Sequence, residues 1–296
     1  MPTSRWWPVV VIALALLGSC SRGAVARSSD GGFQPEIAYL RLTEGHWQVW
    51  VTDREGQLHR QLTRSPVDKV RVSWLPNHGY LLCNRNDGVL ERIDMATGEE
   101  KLLDTPVTGM LDAQLSPDGK WVVFTLAPPQ SPDTNDIWIM SVEGREARKL
   151  TNQAGGAKTP SWHPDGSSIV YTINTRRDSQ QLWRVSFDGK SLMQLTSGED
   201  NKFDPSYNRA GDLVYSGNAA GNYDLWLVPK EGDGPRRITR DPALDAQPSW
   251  SPDGRSLAFY SLRGGKRRIW VWGRDSGLIR PLTPPEVQSR YPAWAP

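Results

Sequence analysis

A Pro-Asp-Gly turn flanked by aromatic and alternating apolar residues recurs along this chain, and that recurrence constrains the fold more than any other feature. The fullest copy is QPSWSPDGRSLAF over 247–259. Variants are LSPDGKWVVF (115–124), WHPDGSSIVY (162–171), YNRAGDLVY (207–215) and WLPNHGYLLC (74–83), and a truncated copy, YPAWAP, occupies 291–296. Pro presets φ, Asp bonds its own backbone and Gly accepts the left-handed conformation, so the tripeptide is turn chemistry. Between alternating apolar runs it predicts a tight β-hairpin.

The residue before each turn serves as a register mark: Trp74, Leu115, Trp162, Tyr207, Trp250 and Trp294, at intervals of 41, 47, 45, 43 and 44 residues. Each unit also carries an aliphatic-Trp pair (Val49-Trp50, Ile137-Trp138, Leu182-Trp183, Leu225-Trp226, Ile269-Trp270), replaced in the second unit by Leu90-Glu91. A Gly-containing turn follows, then a short strand ending in Leu-Thr or close to it, as at Leu62-Thr63, Leu150-Thr151 and Leu282-Thr283. The period therefore reads strand A, turn, strand B, variable loop, strand C, Gly turn, strand D. Such a repeat of about 40–45 residues predicts an all-β, six-bladed propeller of four-stranded antiparallel blades. One such sheet has two apolar faces and buries both only against neighbours, which assigns the repeat tryptophans to core packing between sheets. Residues 37–40 look like a strand B without its strand A, and 290–296 like a strand A with nothing after it. Joined, they complete one blade and close the ring, removing its open edges.

With 35 basic and 33 acidic residues, the chain lacks the basic excess that a nucleic-acid footprint requires. Residues 1–19 read as a lipoprotein signal peptide: one charge, Arg5, precedes an apolar run far shorter than a membrane span, and Leu17-Gly18-Ser19-Cys20 resembles a lipobox. Cys20 is the expected lipidation site, 20–35 a flexible tether, and 36–296 the propeller. The remaining cysteine, Cys83, is expected as a buried small hydrophobe without an intrachain disulfide.

The SPDG-type turns at 116–119, 163–166 and 251–254, the Ile/Leu-Trp strands and the Leu-Thr strand ends resemble the β-propeller of TolB and its relatives, over residues 37–296. The resemblance implies a non-enzymatic scaffold that binds proteins in the bacterial envelope. TolB carries an additional N-terminal α/β domain and is soluble in the periplasm. Only about sixteen residues separate Cys20 from the first strand here, so that domain is expected to be absent and the chain to be lipid-anchored.

In a propeller, strand A lines the channel, and the D–A and B–C loops share one face. Three residues before the marks stand Arg71, Asp112, Thr159, Asp204, Gln247 and Tyr291; five before stand Lys69, Met110, Ala157, Lys202, Asp245 and Ser289. The first set, with Lys69, Lys202 and Asp245, is the expected binding site at the channel mouth. Basic spots at Arg263–Arg268 and Arg176-Arg177 and a Pro-rich loop at 127–136 lie on the same face. No catalytic motif occurs: there is no G-x-S-x-G elbow, and His46, His59, His78 and His163 lack metal-ligand spacing, His163 replacing a turn Ser. No cofactor is expected; the one candidate Ca²⁺ set is Asp133, Asn135 and Asp136. The chain thus reads as a monomeric, envelope-anchored propeller that binds an envelope protein or peptide, at the periplasmic face of the outer membrane. Two alternatives are a propeller lyase or hydrolase acting on sugars or peptides, and a carbohydrate-binding module using Trp47, Tyr223 and Tyr291.

Overall fold

The structure, a computed structural model, describes residues 33–296 except 128–133, 177–178 and 233. The signal peptide, Cys20, most of the tether, Asp133 and Arg177 therefore lie outside the described residues, as does the side chain of Arg176.

Six four-stranded antiparallel sheets follow one another around a ring. Blade 1 is the composite one: its strand A is Ser289–Trp294, and strands B to D are Ile37–Thr43, His46–Thr52 and His59–Gln61. The first and last strands pair antiparallel, with Ile37 opposite Trp294 and Ala38 opposite Ala293. The inner strands A of blades 2 to 6 are Lys69–Trp74, Met110–Leu115, Ala157–Trp162, Lys202–Tyr207 and Asp245–Trp250. Among the described residues the one helical segment is a short 3₁₀ turn, Arg263–Gly265.

The turn chemistry works as the sequence implies. Ser116 Oγ donates to Asp118 Oδ1 at 2.6 Å and Ser251 Oγ to Asp253 Oδ1 at 2.6 Å, while His163 Nδ1 sits 2.7 Å from Asp165 Oδ1 in the same role. Gly119 closes its turn at φ 72°, and a Cβ there would meet Pro76 of the preceding blade at 2.7 Å, so both conformation and close approach require glycine.

The Leu-Thr strand ends have a role that the repeat alone left unexplained. Each Thr hydroxyl accepts the N–H of the aliphatic residue in the aliphatic-Trp pair: Val49 to Thr63, Ile137 to Thr151, Leu182 to Thr196 and Leu225 to Thr239, all at 2.9 Å. The same hydroxyl donates to Gln48 at 2.7 Å, Asp136 at 3.0 Å or Gln181 at 2.8 Å, so it both accepts and donates in these latches. Blade 2 has Leu103 in place of that Thr and Glu91 in place of the Trp. There, Lys69 bonds Glu91 and, at 2.7 Å, Glu100, a buried ion-paired cluster standing where the latch would be.

The core lies between blades. Trp74, Trp162, Trp250 and Trp294 are buried within these inter-sheet clusters, as is Cys83. The strand-C tryptophans Trp50, Trp138, Trp183, Trp226 and Trp270 also pack against core clusters, as expected, but are only half-buried. They sit toward the outer rim, and Arg41 covers Trp50 at 4.1 Å while Arg268 covers Trp270 at 5.3 Å.

Candidate functional site

A β-bulge in every strand A decides which residues face the channel. In blade 3, Leu111 pairs with Thr125 and Gln114 with Val123, so strand A carries one extra residue; blades 1, 4, 5 and 6 shift at the equivalent place, and blade 2 between Lys69 and Arg71. At the bulge Asp112, Thr159, Asp204, Gln247 and Tyr291 all adopt left-handed backbone, φ 50° to 54°. These are the residues three before the register mark in five of the six blades. Non-glycine residues with positive φ are uncommon and store strain, and five at equivalent positions make this a built-in feature of the ring. The bulge also explains the prolines after Thr159, Asp204, Gln247 and Tyr291, since proline within a sheet is confined to edges and bulges.

The extra residue breaks the period-two alternation. Residues one and three before the mark are partly exposed, with the buried Ser161 the one exception, and the residue between them is buried. The residues four before the mark are then also partly exposed in five blades, and those five before are buried in all six. This corrects the expectation for Lys69, Lys202 and Asp245, which lie inside the protein. Lys69 is fully buried against Glu91 and Glu100; Lys202 bonds Asp200 at 2.7 Å; Asp245 is fully buried and bonds Arg263 at 2.6 Å. Arg263 is therefore a structural partner, unlike the exposed Lys266 and Arg267 beside it.

The structure brings all of the remaining expected residues but Thr159 together. Arg71, Asp204, Gln247 and Tyr291 line one cavity of about 170 Å³, floored by Trp74 and Trp294. Arg71 Nη1 lies 3.6 Å from Asp112 Oδ1, and its guanidinium sits 5.7 Å from the Tyr291 ring. Tyr291 also receives Arg290 at 5.5 Å, which stacks on Trp47 at 4.0 Å. Thr159 turns its hydroxyl to Thr172 at 2.9 Å. A second ring, which strand alternation does not disclose, stands one residue before the mark: Ser73, Gln114, Ser161, Ser206 and Ser249 all line the cavity. The proline in four of these strands was the available signal, because it marks the bulge that sets the exposure pattern.

Neighbouring blades share the polar groups that a channel-facing strand edge would leave open. Tyr291 N–H donates to Gln247 Oε1 at 3.0 Å, Trp294 N–H to Ser249 Oγ at 3.2 Å, and Trp74 Nε1 to the Ala293 carbonyl at 2.9 Å. Burial raises the Asp204 carboxyl from 3.8 to about 6, with Asp112 adding to the rise and Arg71 and the Gln247 N–H opposing it. Burial likewise lifts the Tyr291 phenol to about 12, with Asp204 and Asp112 contributing.

The Asp204 environment has a consequence for stability. Its folded pKa exceeds the unfolded one, so its protonated form favours folding and stability falls as pH rises from about 4 through about 6. The full displacement corresponds to roughly 3 kcal/mol at neutral pH, less what channel water screens. Asp204→Asn, which keeps an acceptor for the Gln247 N–H, is expected to stabilise the protein by about 1–3 kcal/mol at neutral pH and little at pH 4. Urea unfolding across that range measures it; a variant weaker than wild type at neutral pH would refute the assignment.

Other candidate groups are already engaged. Asp136 binds Lys149 at 2.6 Å and the Thr151 hydroxyl, so of the Ca²⁺ set it is committed to the latch. Trp47 belongs to strand C instead of a loop, beneath Arg290. Tyr223 does lie in a loop, packed edge-on against Phe203 at 5.1 Å.

A family model described as the TolB beta propeller domain matches residues 27–216. The uncharacterized peptidase YuxL of Bacillus subtilis is 32% identical over 154 residues, 50% of this chain and 21% of that protein. A TolB homolog of Chlorobium chlorochromatii is 29% identical over 157 residues, 53% of this chain and 34% of its own length. The chain thus spans 21% and 34% of the length of these curated relatives. Among solved structures, TolB from Acinetobacter baumannii superposes with a TM-score of 0.77 at 23% identity, covering 90% of this chain and 68% of that one, a likeness of fold.

Proposed function

The chain belongs to the TolB beta propeller domain family, and from that premise we propose that it is a binding scaffold of the bacterial envelope, recognising a protein or peptide segment at the channel mouth on the D–A and B–C loop face. TolB-named relatives support a protein-binding propeller, and a peptidase-named one shows that the same repeat also serves enzymes. The observation that carries the reading is the ring of Arg71, Asp112, Thr159, Asp204, Gln247 and Tyr291. Five of its six members are held at positive φ, which fixes where the ring presents its charged and hydrogen-bonding groups. A rigid wall of this kind binds with little ordering penalty.

The proposal includes lipid anchoring through Cys20 after removal of residues 1–19, with 20–35 as the tether and the outer membrane as the site of residence. Cys20→Ala should release the chain into the soluble fraction. A photo-crosslinking residue at Leu111, 40% exposed and four before its register mark, is expected to trap a discrete partner in intact cells. The same residue at Leu192, 45% exposed on the outer strand of blade 4, should not. Equal adducts at both positions, or none at Leu111, would sink the reading.

A further inference from the structure

The A–B and C–D turns occupy the end of the blades opposite the channel mouth considered above. At two seams on that end, an arginine from one blade's C–D turn crosses to a carboxylate in the preceding blade's A–B turn. Arg54 of blade 1 reaches Asp253 of blade 6 at 3.2 Å, with its guanidinium 5.2 Å from the Trp294 ring. Arg274 of blade 6 reaches Asp212 of blade 5 at 2.6 Å, with its guanidinium 5.9 Å from Trp250. In each case the tryptophan is the register mark of the arginine's own blade. The seam is therefore a three-part unit: a turn carboxylate, a guanidinium, and an indole beneath it.

At the seam of blades 3 and 4 the guanidinium is replaced. Phe187 occupies the equivalent position, its N–H bonded to the Ser167 carbonyl at 2.8 Å as that of Arg274 is to the Arg255 carbonyl at 2.8 Å. The other two parts remain: the register-mark Trp162, its ring 6.2 Å from Phe187, and the turn carboxylate Asp118. Trp121 adds a further ring 5.1 Å from Phe187. Between them lies a groove of about 440 Å³, walled by these aromatics with Pro117 and Pro164 and rimmed by Asp118 and Asp165.

Charge at the groove favours a cation. The side chains of Asp118 and Asp165 are 53% and 59% exposed. Asp118 Oδ1 is used by Ser116 and the Lys120 N–H, and Oδ2 is paired among the described residues only with Lys120 Nζ, at 3.9 Å. Arg148, which lies 5.0 Å from the Phe187 ring, is committed to the Phe187 carbonyl at 2.5 Å and is not among the groove's lining residues.

The geometry points to this groove as a docking site for an arginine side chain carried by a partner protein. The guanidinium stacks among Trp162, Phe187 and Trp121 and donates to Asp118, completing from outside the unit that Arg54 and Arg274 complete from within. This site is independent of the channel mouth and lies at the other end of the ring.

The probe is an N-acetylated, C-amidated Gly-Arg-Gly tripeptide, compared with its citrulline counterpart, which keeps the shape and loses the charge. Indole N–H resonances of the ¹⁵N-labelled full chain report binding, with Trp121 assigned from Trp121→Phe. The expected result is a saturable shift of the Trp121 resonance, with apparent affinity at least about tenfold weaker for citrulline and for Asp118→Asn. Phe187→Arg should fill the groove from within and abolish the shift while leaving the remaining indole resonances in place. A response to citrulline equal to that for arginine, an unchanged response in Phe187→Arg, or no saturable shift would overturn the assignment. Failure here leaves the channel-mouth crosslink unaffected, so the two readings are tested separately.

Discussion

Removing residues 289–296 is expected to abolish cooperative unfolding of the propeller. That segment supplies strand A of blade 1 and pairs with Ile37 to Arg41. It also brings Trp294, packed with Ile37, Tyr39 and Leu282, into the seam with blade 6. Its backbone satisfies Trp74 Nε1 through Ala293 and the Glu36 carbonyl through the Ala295 N–H at 2.7 Å. Losing a buried tryptophan alone costs about 3–5 kcal/mol. Losing the strand adds an open sheet edge and two unsealed seams, against a total stability on the order of 5–15 kcal/mol. Thermal unfolding followed by near-ultraviolet circular dichroism should show a broad or absent transition. Adding the peptide 289–296 in trans should restore part of it. A truncated chain that melts like the intact one would mean that the ring is not closed by this strand.

The second large effect is expected at Lys69. Its ammonium and the Glu91 carboxylate are essentially without solvent exposure. Burial presses the Lys69 pKa down, but the hydrogen bonds it donates to Glu100 and Glu91 outweigh it and the value is raised. Burial also raises Glu91 despite its contact with Lys69. Glu100 is additionally held by the Ser65 hydroxyl at 2.6 Å, so it survives loss of the lysine better than Glu91 does. Lys69→Met therefore leaves Glu91 as an uncompensated buried charge, at a cost of about 3–5 kcal/mol at neutral pH. Lys69→Met combined with Glu91→Leu should recover most of it, because an apolar pair of similar volume replaces a buried ion pair nearly neutrally. Urea denaturation of the single and double variants decides this. A single-variant loss under about 1 kcal/mol would show that water reaches the pair.

The sequence carried the architecture because the repeat expresses it several times over. Turn, aliphatic-Trp strand, Gly turn and Leu-Thr end recur at one spacing, and the ends of the chain complement each other as strands of one blade. The equivalent placement of Arg71, Asp112, Thr159, Asp204, Gln247 and Tyr291 on strand A followed from alignment to the register marks. Lys69, Lys202 and Asp245 lie elsewhere than expected because an unbroken strand alternates with period two, and this strand is bulged. One inserted residue moved those side chains to the buried face, where only ion pairing makes their charge tolerable. Thr159-Pro160, Asp204-Pro205, Gln247-Pro248 and Tyr291-Pro292 stated the bulge in residues, and the pattern had to be weighed against strand alternation to be seen. The seam at Phe187 was illegible for another reason. Its meaning depends on what Arg54 and Arg274 touch across blades, which no single repeat displays.

The central claim is that the strained polar ring recognises a partner, and quantitative capture tests it most directly. Immobilised full-length chain, wild type or Arg71→Ala/Asp112→Ala/Asp204→Ala, is exposed to solubilised envelope, and the partner identified by the Leu111 crosslink is quantified in each eluate. Circular dichroism establishes that both chains are folded. Recovery of that partner should fall by at least about tenfold, the scale expected when charged anchors of a recognition site are removed. Equal recovery by the two folded proteins would contradict it and detach the channel ring from recognition.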